Sequence, residues 1–398
     1  MGQSTFPAPS TGASYSSQPP ANASSVLLDG SLVNSTSYST TLTGTGASWL
    51  LYANGAGTTT FTVGSDTYSV PAGSTVGTSA YTGSQSVSVA ATISSTAPAT
   101  FTASTMPSSS GWISVTYGNG KFVAVQGDNT TAGAYSINGT SWTASTMPSS
   151  SYWSSVTYGN GYFVAVAEVT TSGAYSTNGT TWTASTMPSA SDWYGVTYGN
   201  GKFVAVQASS TTAGAYSTNG STWTASTMSS SSYWFSVAYG NGYFVAVASL
   251  STTAGAYSTN GTTWTASTMP SSSYWSSVAY GNGYFVAVAS GTTAGAYSTN
   301  GTSWTSSTMP SASSWYGVTY GNGYFVATAS GTTAGAYSTN GTTWTANTMP
   351  SASGWRGVTY GNGYFVAVQQ SGTTAGAYFA QSILPVAYGI YNGPTATH

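Results

Sequence analysis

Residues 112–142 read WISVTYGNGKFVAVQGDNTTAGAYSINGTSW, and close copies follow through most of the remaining chain. The tetrapeptide Tyr-Gly-Asn-Gly inside this stretch occurs seven times, starting at Tyr117, Tyr158, Tyr198, Tyr239, Tyr280, Tyr320 and Tyr360. The spacings are 41, 40, 41, 41, 40 and 40 residues. A fixed period of this size marks a repeat fold in which each copy is one supersecondary unit. No 3.6-residue periodicity is present, which excludes a helical solenoid.

Each copy reads as a four-stranded meander. WISVTY, from Trp112, is aromatic and β-branched, as strands are. Gly118-Asn119-Gly120 supplies residues that tolerate the positive φ of a tight hairpin turn. KFVAVQ, from Lys121, is a second strand, and residues 127–133 are a polar loop. Residues 134–137 are a third strand, Asn138-Gly139 a second turn, and residues 141–145 a fourth strand. A Met-Pro-Ser loop then leads to the next Trp. About 40 residues in four strands is the size of a propeller blade.

The strand count predicts how the ring closes. Seven copies of the first three strands are present, but only six of the Thr-Trp strand, at Trp142, Trp182, Trp223, Trp264, Trp304 and Trp344. The seventh is expected upstream, where FTASTMP from Phe101 matches WTASTMP from Trp142. Lending this strand to the last blade removes the exposed edges of an open stack. The segment formed by Ser136, Asn138, Gly139 and Trp142, with its five relatives, resembles the Asp-box turn of sialidase-like propellers. This chain carries Asn where that turn has Asp and is one residue shorter. The turn is structural in that family, so the resemblance implies a propeller and no chemistry.

The expected fold class is all-β: a seven-bladed β-propeller of four-stranded blades, closed by an N-terminal strand and preceded by a small β-sandwich domain. Residues 1–25 read as a Ser/Pro-rich arm, flexible or ordered only on a partner. Residues 26–98 read as the sandwich, with a hairpin signal at Asn54-Gly55. Residues 99–380 form the propeller, and residues 381–398 a tail with an apolar patch from Ile383 to Val386.

Composition narrows function. The 398 residues include 3 Lys+Arg, 5 Asp+Glu, 1 His and no Cys, and 14% are aromatic. A charged fraction of 2% lies far below the globular norm of about 25%. Three basic residues cannot neutralise a phosphate track, which argues against nucleic acid. No apolar run reaches the roughly 18–20 residues of a membrane helix, so no membrane insertion is expected. The first residues have neither the basic start nor the apolar core of a secretory signal.

Chemistry is sparse. A carboxylate-gripping sialidase site needs several arginines, and Arg356 stands alone. His398 is the only histidine, and the propeller's carboxylates are Asp128, Glu168 and Asp192. No catalytic residue, metal ligand or cofactor is expected, although a pair of carboxylates is what a glycoside hydrolase would require. The thirteen propeller tryptophans are read as packing between blades. The candidate ligand-binding residues lie where the copies differ. They are Asp128, Asn129 and Glu168 after the second strand, Tyr152, Asp192, Tyr233 and Tyr274 just before the strand Trp, and Tyr194 and Tyr316 just after it. Loops on a rigid ring are a common place for recognition.

Strand direction places the Gly-Asn-Gly and Asn-Gly turns on one face and the variable and Met-Pro-Ser loops on the other. The chain is expected to enter and leave the ring on the turn face, with the small domain beneath it and the loop face free. The charge-poor, Ser/Thr/Gly/Tyr-rich composition, with an arm and small domain before a repeat head, resembles phage fibre and minor tail proteins. That resemblance implies a non-enzymatic virion structural protein, a tail or capsid appendage. It would contact other virion proteins through residues 1–98 and the tail and present the propeller to host-surface polysaccharide. Self-association into a homo-oligomer is compatible with such a role. The alternatives are an exported or cell-surface lectin-like propeller and, at greater distance, a glycan-processing enzyme.

Overall fold

The computed structural model describes residues 97–108, 111–371 and 376–381, and outside them eight strands by their backbone pairing alone. It falls into two units, residues 97–380 and a second unit made of residues 1–96 with residues 381–398. Every described regular element is a β-strand.

The first blade shows why the repeat folds as it does. Its inner strand, Trp112–Gly118, pairs antiparallel with Lys121–Gln126, which pairs with Thr130–Ser136, which pairs with the start of Thr143–Gly159. Asn119 and Gly120 turn the first hairpin with φ of 46° and 74°, a left-handed pair that only such residues adopt at low cost. In the second turn Asn138 Oδ1 accepts the backbone N–H of Thr140 and of Ser141, each at 3.0 Å. Ser136 Oγ accepts the N–H of Gly139 at 2.8 Å. An amide oxygen at this position therefore does the capping that a carboxylate would do.

Two expected loops are strand. The Met-Pro-Ser segment lies inside the continuous strand Thr143–Gly159, which closes one blade and opens the next. Met147 is buried in the core, and Ser151 pairs with Thr130, so the ladder continues through the crossing. The third strand starts at Thr130, four residues before the expected position, and leaves residues 127–129 as the loop.

Seven blades follow from the pairing, and the seventh is completed by Thr102–Ser104. Gly376, Ala377 and Tyr378 pair with Ser104, Ala103 and Thr102. Two further observations close the ring. Tyr158 packs on Gly118 of the blade before it, where a Cβ would collide with the ring; Tyr117 packs in the same way on Gly361, joining the first blade to the last. A parallel bridge links the outer strand of each blade to the next, from Thr146↔Thr181 round to Thr308↔Thr343, with Thr348↔Thr100 and Thr105↔Ser141 supplied by the closing strand. Asn347 donates to the carbonyl of Pro98 at 2.8 Å, at a position that holds Ser in the other copies. The Phe101 and Phe379 rings lie 6.1 Å apart, so the chain enters and leaves the propeller at one end of one blade.

The core lies between blades. The inner-strand tryptophans, Trp112, Trp153, Trp193, Trp234, Trp275, Trp315 and Trp355, are all fully buried. Those of the outer strands sit nearer the rim: Trp182, Trp223, Trp264 and Trp344 are 7–9% exposed, and Trp142 and Trp304 are half-buried. Each inner tryptophan packs with Phe, Val and Ala of the flanking strands and a Met of the crossing segment.

In the other unit, strands are paired in two four-stranded antiparallel sheets. The C-terminal segment is not a separate tail. Ala387–Asn392 pairs with Ser25–Leu28 on one side and Ser48–Tyr52 on the other. The patch from Ile383 to Val386 and the 1–25 arm, apart from Ser25 at the start of a strand, fall outside the described residues.

Candidate functional site

The position directly after each inner-strand tryptophan breaks the repeat. It holds Ile113, Ser154, Tyr194, Phe235, Ser276, Tyr316 and Arg356 in the seven blades. All seven line one cavity, which takes its other walls from inner-strand residues of every blade and is therefore the central channel; its volume is about 360 Å³. The next position also varies, as Ser114, Ser155, Gly195, Ser236, Ser277, Gly317 and Gly357. Glycine follows Tyr194, Tyr316 and Arg356, and serine follows the rest. At Gly317 a Cβ would collide with the backbone carbonyl of Arg356 in the next blade.

The ring is not symmetric. Tyr194 stacks on Phe235 with ring centroids 3.7 Å apart. The Arg356 guanidinium lies over the Tyr316 ring at 3.8 Å, and its Nε donates to Gln370 Oε1 at 2.9 Å. Ser154 and Ser276 are buried and donate to the main chain of the following blade, at the carbonyls of Trp193 and Trp315. Burial holds the Tyr194 hydroxyl up to about 12, with Arg356 pulling it down and Glu168 and Tyr316 adding to the rise.

Around this ring, at the end of the blades opposite the tight turns, stand the residues just before the tryptophans. Tyr152 and Tyr274 are 44% and 48% exposed. Tyr233 and Asp192 are half-buried. Glu168 pairs with Tyr152 across the ladder. Its carboxyl is raised to about 7, chiefly by burial, then by the charge of Asp192, while Arg356 lowers it. Asp192 Oδ1 accepts the N–H of Val169 at 3.1 Å, tying two blades together. Asp128 and Asn129 are exposed on the corresponding loop of the first blade, where Asn129 has φ of 51° and the Asp128 carboxylate lies against Gly111.

The candidates thus divide. Tyr194 and Tyr316 belong to the channel; Tyr152, Tyr233, Tyr274, Glu168 and Asp192 belong to its rim; Asp128 and Asn129 sit on a loop of the same face. Sequence reasoning passed over Ser154, Phe235, Ser276 and Arg356. The signal for them was the position itself, which differs among copies whose neighbouring Trp and Val do not. Among the described residues, no three of His, Cys, Asp and Glu are grouped to hold a metal ion.

No known protein family matches the sequence, and no curated protein is similar to it. Solved structures are similar in fold. Virginiamycin B lyase from Staphylococcus aureus superposes with a TM-score of 0.62 at 14% identity, over 68% of this chain and 95% of that one. A streptogramin B lyase matches with a TM-score of 0.62 at 13% identity, over 73% of this chain and 97% of that one. YCF48 from Cyanidioschyzon merolae matches with a TM-score of 0.52 at 13% identity, over 73% and 98%. Two of these structures are lyases and the third carries a different name, so the likeness extends to the β-propeller fold and no further.

Proposed function

We propose that this chain is a non-enzymatic recognition protein: a propeller that binds surface glycan on its loop-bearing face and is carried by a virion, as a tail or capsid appendage. The observation that carries the binding reading is the exposure of Tyr152 and Tyr274 on the rim of a face rich in serine and threonine hydroxyls. An exposed aromatic face stacks on the apolar side of a sugar ring, while neighbouring hydroxyls exchange hydrogen bonds with sugar hydroxyls. Within the propeller, Phe101 and Phe379, where the described chain enters and leaves, lie together at the opposite end of the last blade. Residues 1–98 and the C-terminal segment are then the attachment to other virion proteins. An exported lectin-like propeller would bind in the same way from a different location.

A glycan array probed with the full chain tests the binding. Retention of a surface polysaccharide is expected, with at least about a tenfold loss in a Tyr152→Ala/Tyr274→Ala variant, the equivalent of 1.4 kcal/mol. Absence of glycan retention, or a variant that binds as the parent does, removes the reading. Mass spectrometry of purified virus particles tests the location.

One observation favours glycoside hydrolysis as a second reading: Glu168 is raised to about 7 beside Asp192, a pairing that could supply an acid and a base. Against it, Asp192 is engaged by the backbone of Val169, and neither carboxylate lines the channel cavity. Release of reducing ends by the parent chain and its loss in Glu168→Gln would favour hydrolysis over binding alone.

A further inference from the structure

The channel differs in chemistry from the rim around it. Among the residues lining its cavity, Arg356 carries the single formal charge; the rest are hydroxyls, small apolar groups and the aromatic side chains of Tyr194, Phe235, Tyr239, Tyr280 and Tyr316. Arg356 is held on two sides. The ring of Tyr316 lies under its plane, and Gln370 takes its Nε hydrogen. Glu168 is near enough to interact electrostatically with Arg356 and Tyr194, yet among the described residues no carboxylate forms an ion pair with Arg356. The two terminal amino groups of a guanidinium fixed in this way present a planar fork, the shape that a carboxylate matches with two parallel hydrogen bonds.

We propose that the channel mouth is a binding site for one sugar residue bearing a carboxylate, with Arg356 gripping the carboxylate and the Tyr194–Phe235 pair bearing on the sugar ring. This rests on the glycan reading above and narrows its ligand to acidic saccharides. A volume of about 360 Å³ is at the lower end of ligand pockets, which run roughly 300–1,000 Å³, and suits a terminal sugar unit of a polymer. The charge count selects carboxylate over phosphate. Arg356 offers one positive charge and one two-pronged fork, which a carboxylate fills, whereas a phosphate dianion would lack partners for its further oxygens. The serines at the neighbouring positions, Ser114, Ser155, Ser236 and Ser277, line the same cavity and offer hydroxyls to the sugar's own.

Titration calorimetry on the full chain tests this, with methyl glucuronide and methyl glucoside as probes. Saturable binding of one glucuronide per chain is expected, with the glucoside at least about tenfold weaker. Arg356→Gln should abolish that preference, and Arg356→Lys, which keeps the charge and loses the fork, should reduce it. Circular dichroism melts of both variants establish that they fold; if the Gln variant does not, the Lys variant and the parent's preference between the two probes still decide. No saturation by glucuronide, equal affinity for both probes, or tighter competition by inorganic phosphate overturns the site. Because the probe is a monosaccharide, a chain that retains polymeric glycan on the array yet ignores glucuronide loses only the channel site. A chain that binds glucuronide but no polymer loses only the rim reading.

Discussion

The interface between the second and third blades and the one between the third and fourth are built on the same backbone and the same buried tryptophan, yet they are held differently. In the first, Ser154 shares its proton between the carbonyls of Val166, at 3.1 Å, and Trp193, while Ser155 Oγ accepts the N–H of Val196 at 3.2 Å. In the second, Tyr194 stacks on Phe235, and Gly195 has no hydroxyl to offer. A Cβ there would stand 3.1 Å from the carbonyl oxygen of Phe235. One interface puts its two variable residues into main-chain hydrogen bonds, and the other puts them into aromatic surface facing the channel. The same contrast returns between Ser276-Ser277 and Tyr316-Gly317. The repeat therefore supplies a scaffold that tolerates either choice, and the choices decide what the channel can recognise.

The scaffold should fail in the same way on either side of this comparison. Trp193→Ala and Trp234→Ala both empty a fully buried site, and each should cost about 3–5 kcal/mol in denaturant melts, as large-to-small core changes do. Losses under about 1 kcal/mol would mean that the tryptophans do not form the core between blades.

The glycines should separate the two kinds of interface. Gly317→Ala drives a Cβ into the Arg356 carbonyl and should destabilise by roughly 1–3 kcal/mol, whereas Gly195→Ala meets only a tight 3.1 Å approach and should cost less. Equal effects would show that the next blade can shift freely. On the serine side, Ser155→Ala leaves the Val196 N–H without its acceptor and should cost about 1 kcal/mol. The same is expected of Ser277→Ala at Val318. If neither variant moves the melting temperature, the serine hydroxyls are spectators and the comparison collapses.

Much of this molecule is legible in its sequence because the period repeats seven times and the odd strand out has a visible match at Phe101. The fourth-strand deficit alone points to closure, and the pairing of Thr102 with Tyr378 bears that out. Asn347, the one departure from Ser in that series, was a second sign of where the chain joins, and it is readable only once Pro98 is seen beside it. The Met-Pro-Ser segment misleads because Pro and Ser signal loops locally, while the buried Met147 holds the segment in the ladder. The pairing of Ala387–Asn392 with strands more than 300 residues earlier leaves no local trace, since such pairing is set by tertiary contact. At the site, the tyrosines attract notice as aromatic residues. Ser154 and Ser276 do not, because serine is common throughout the chain and its burial here depends on a carbonyl from the next blade.

The smallest expected effect asks whether the channel mouth behaves as one electrostatic unit across blades, as the serine interfaces do not. Glu168 belongs to the second blade, Asp192 to the third and Arg356 to the seventh, and the charges of the last two act on the carboxyl of the first. That carboxyl is raised from 4.5 to about 7, so the folded chain keeps a proton that the unfolded chain has released between those values. Stability should therefore be greatest below pH 4.5, decline as pH rises toward 7, and level off above it. The group is partly solvated, so screening reduces the decline to roughly 1 kcal/mol. Glu168→Gln should remove the decline, leaving stability at pH 4 unchanged and raising it at pH 8. An NMR titration of the Glu168 carboxyl reads the coupling directly: Asp192→Asn should lower its midpoint, and Arg356→Gln should raise it. A midpoint that stays at the ordinary carboxylate value in the parent, or that ignores Arg356, would mean that the seventh blade does not reach the second across the channel, and the mouth would be seven local environments instead of one site.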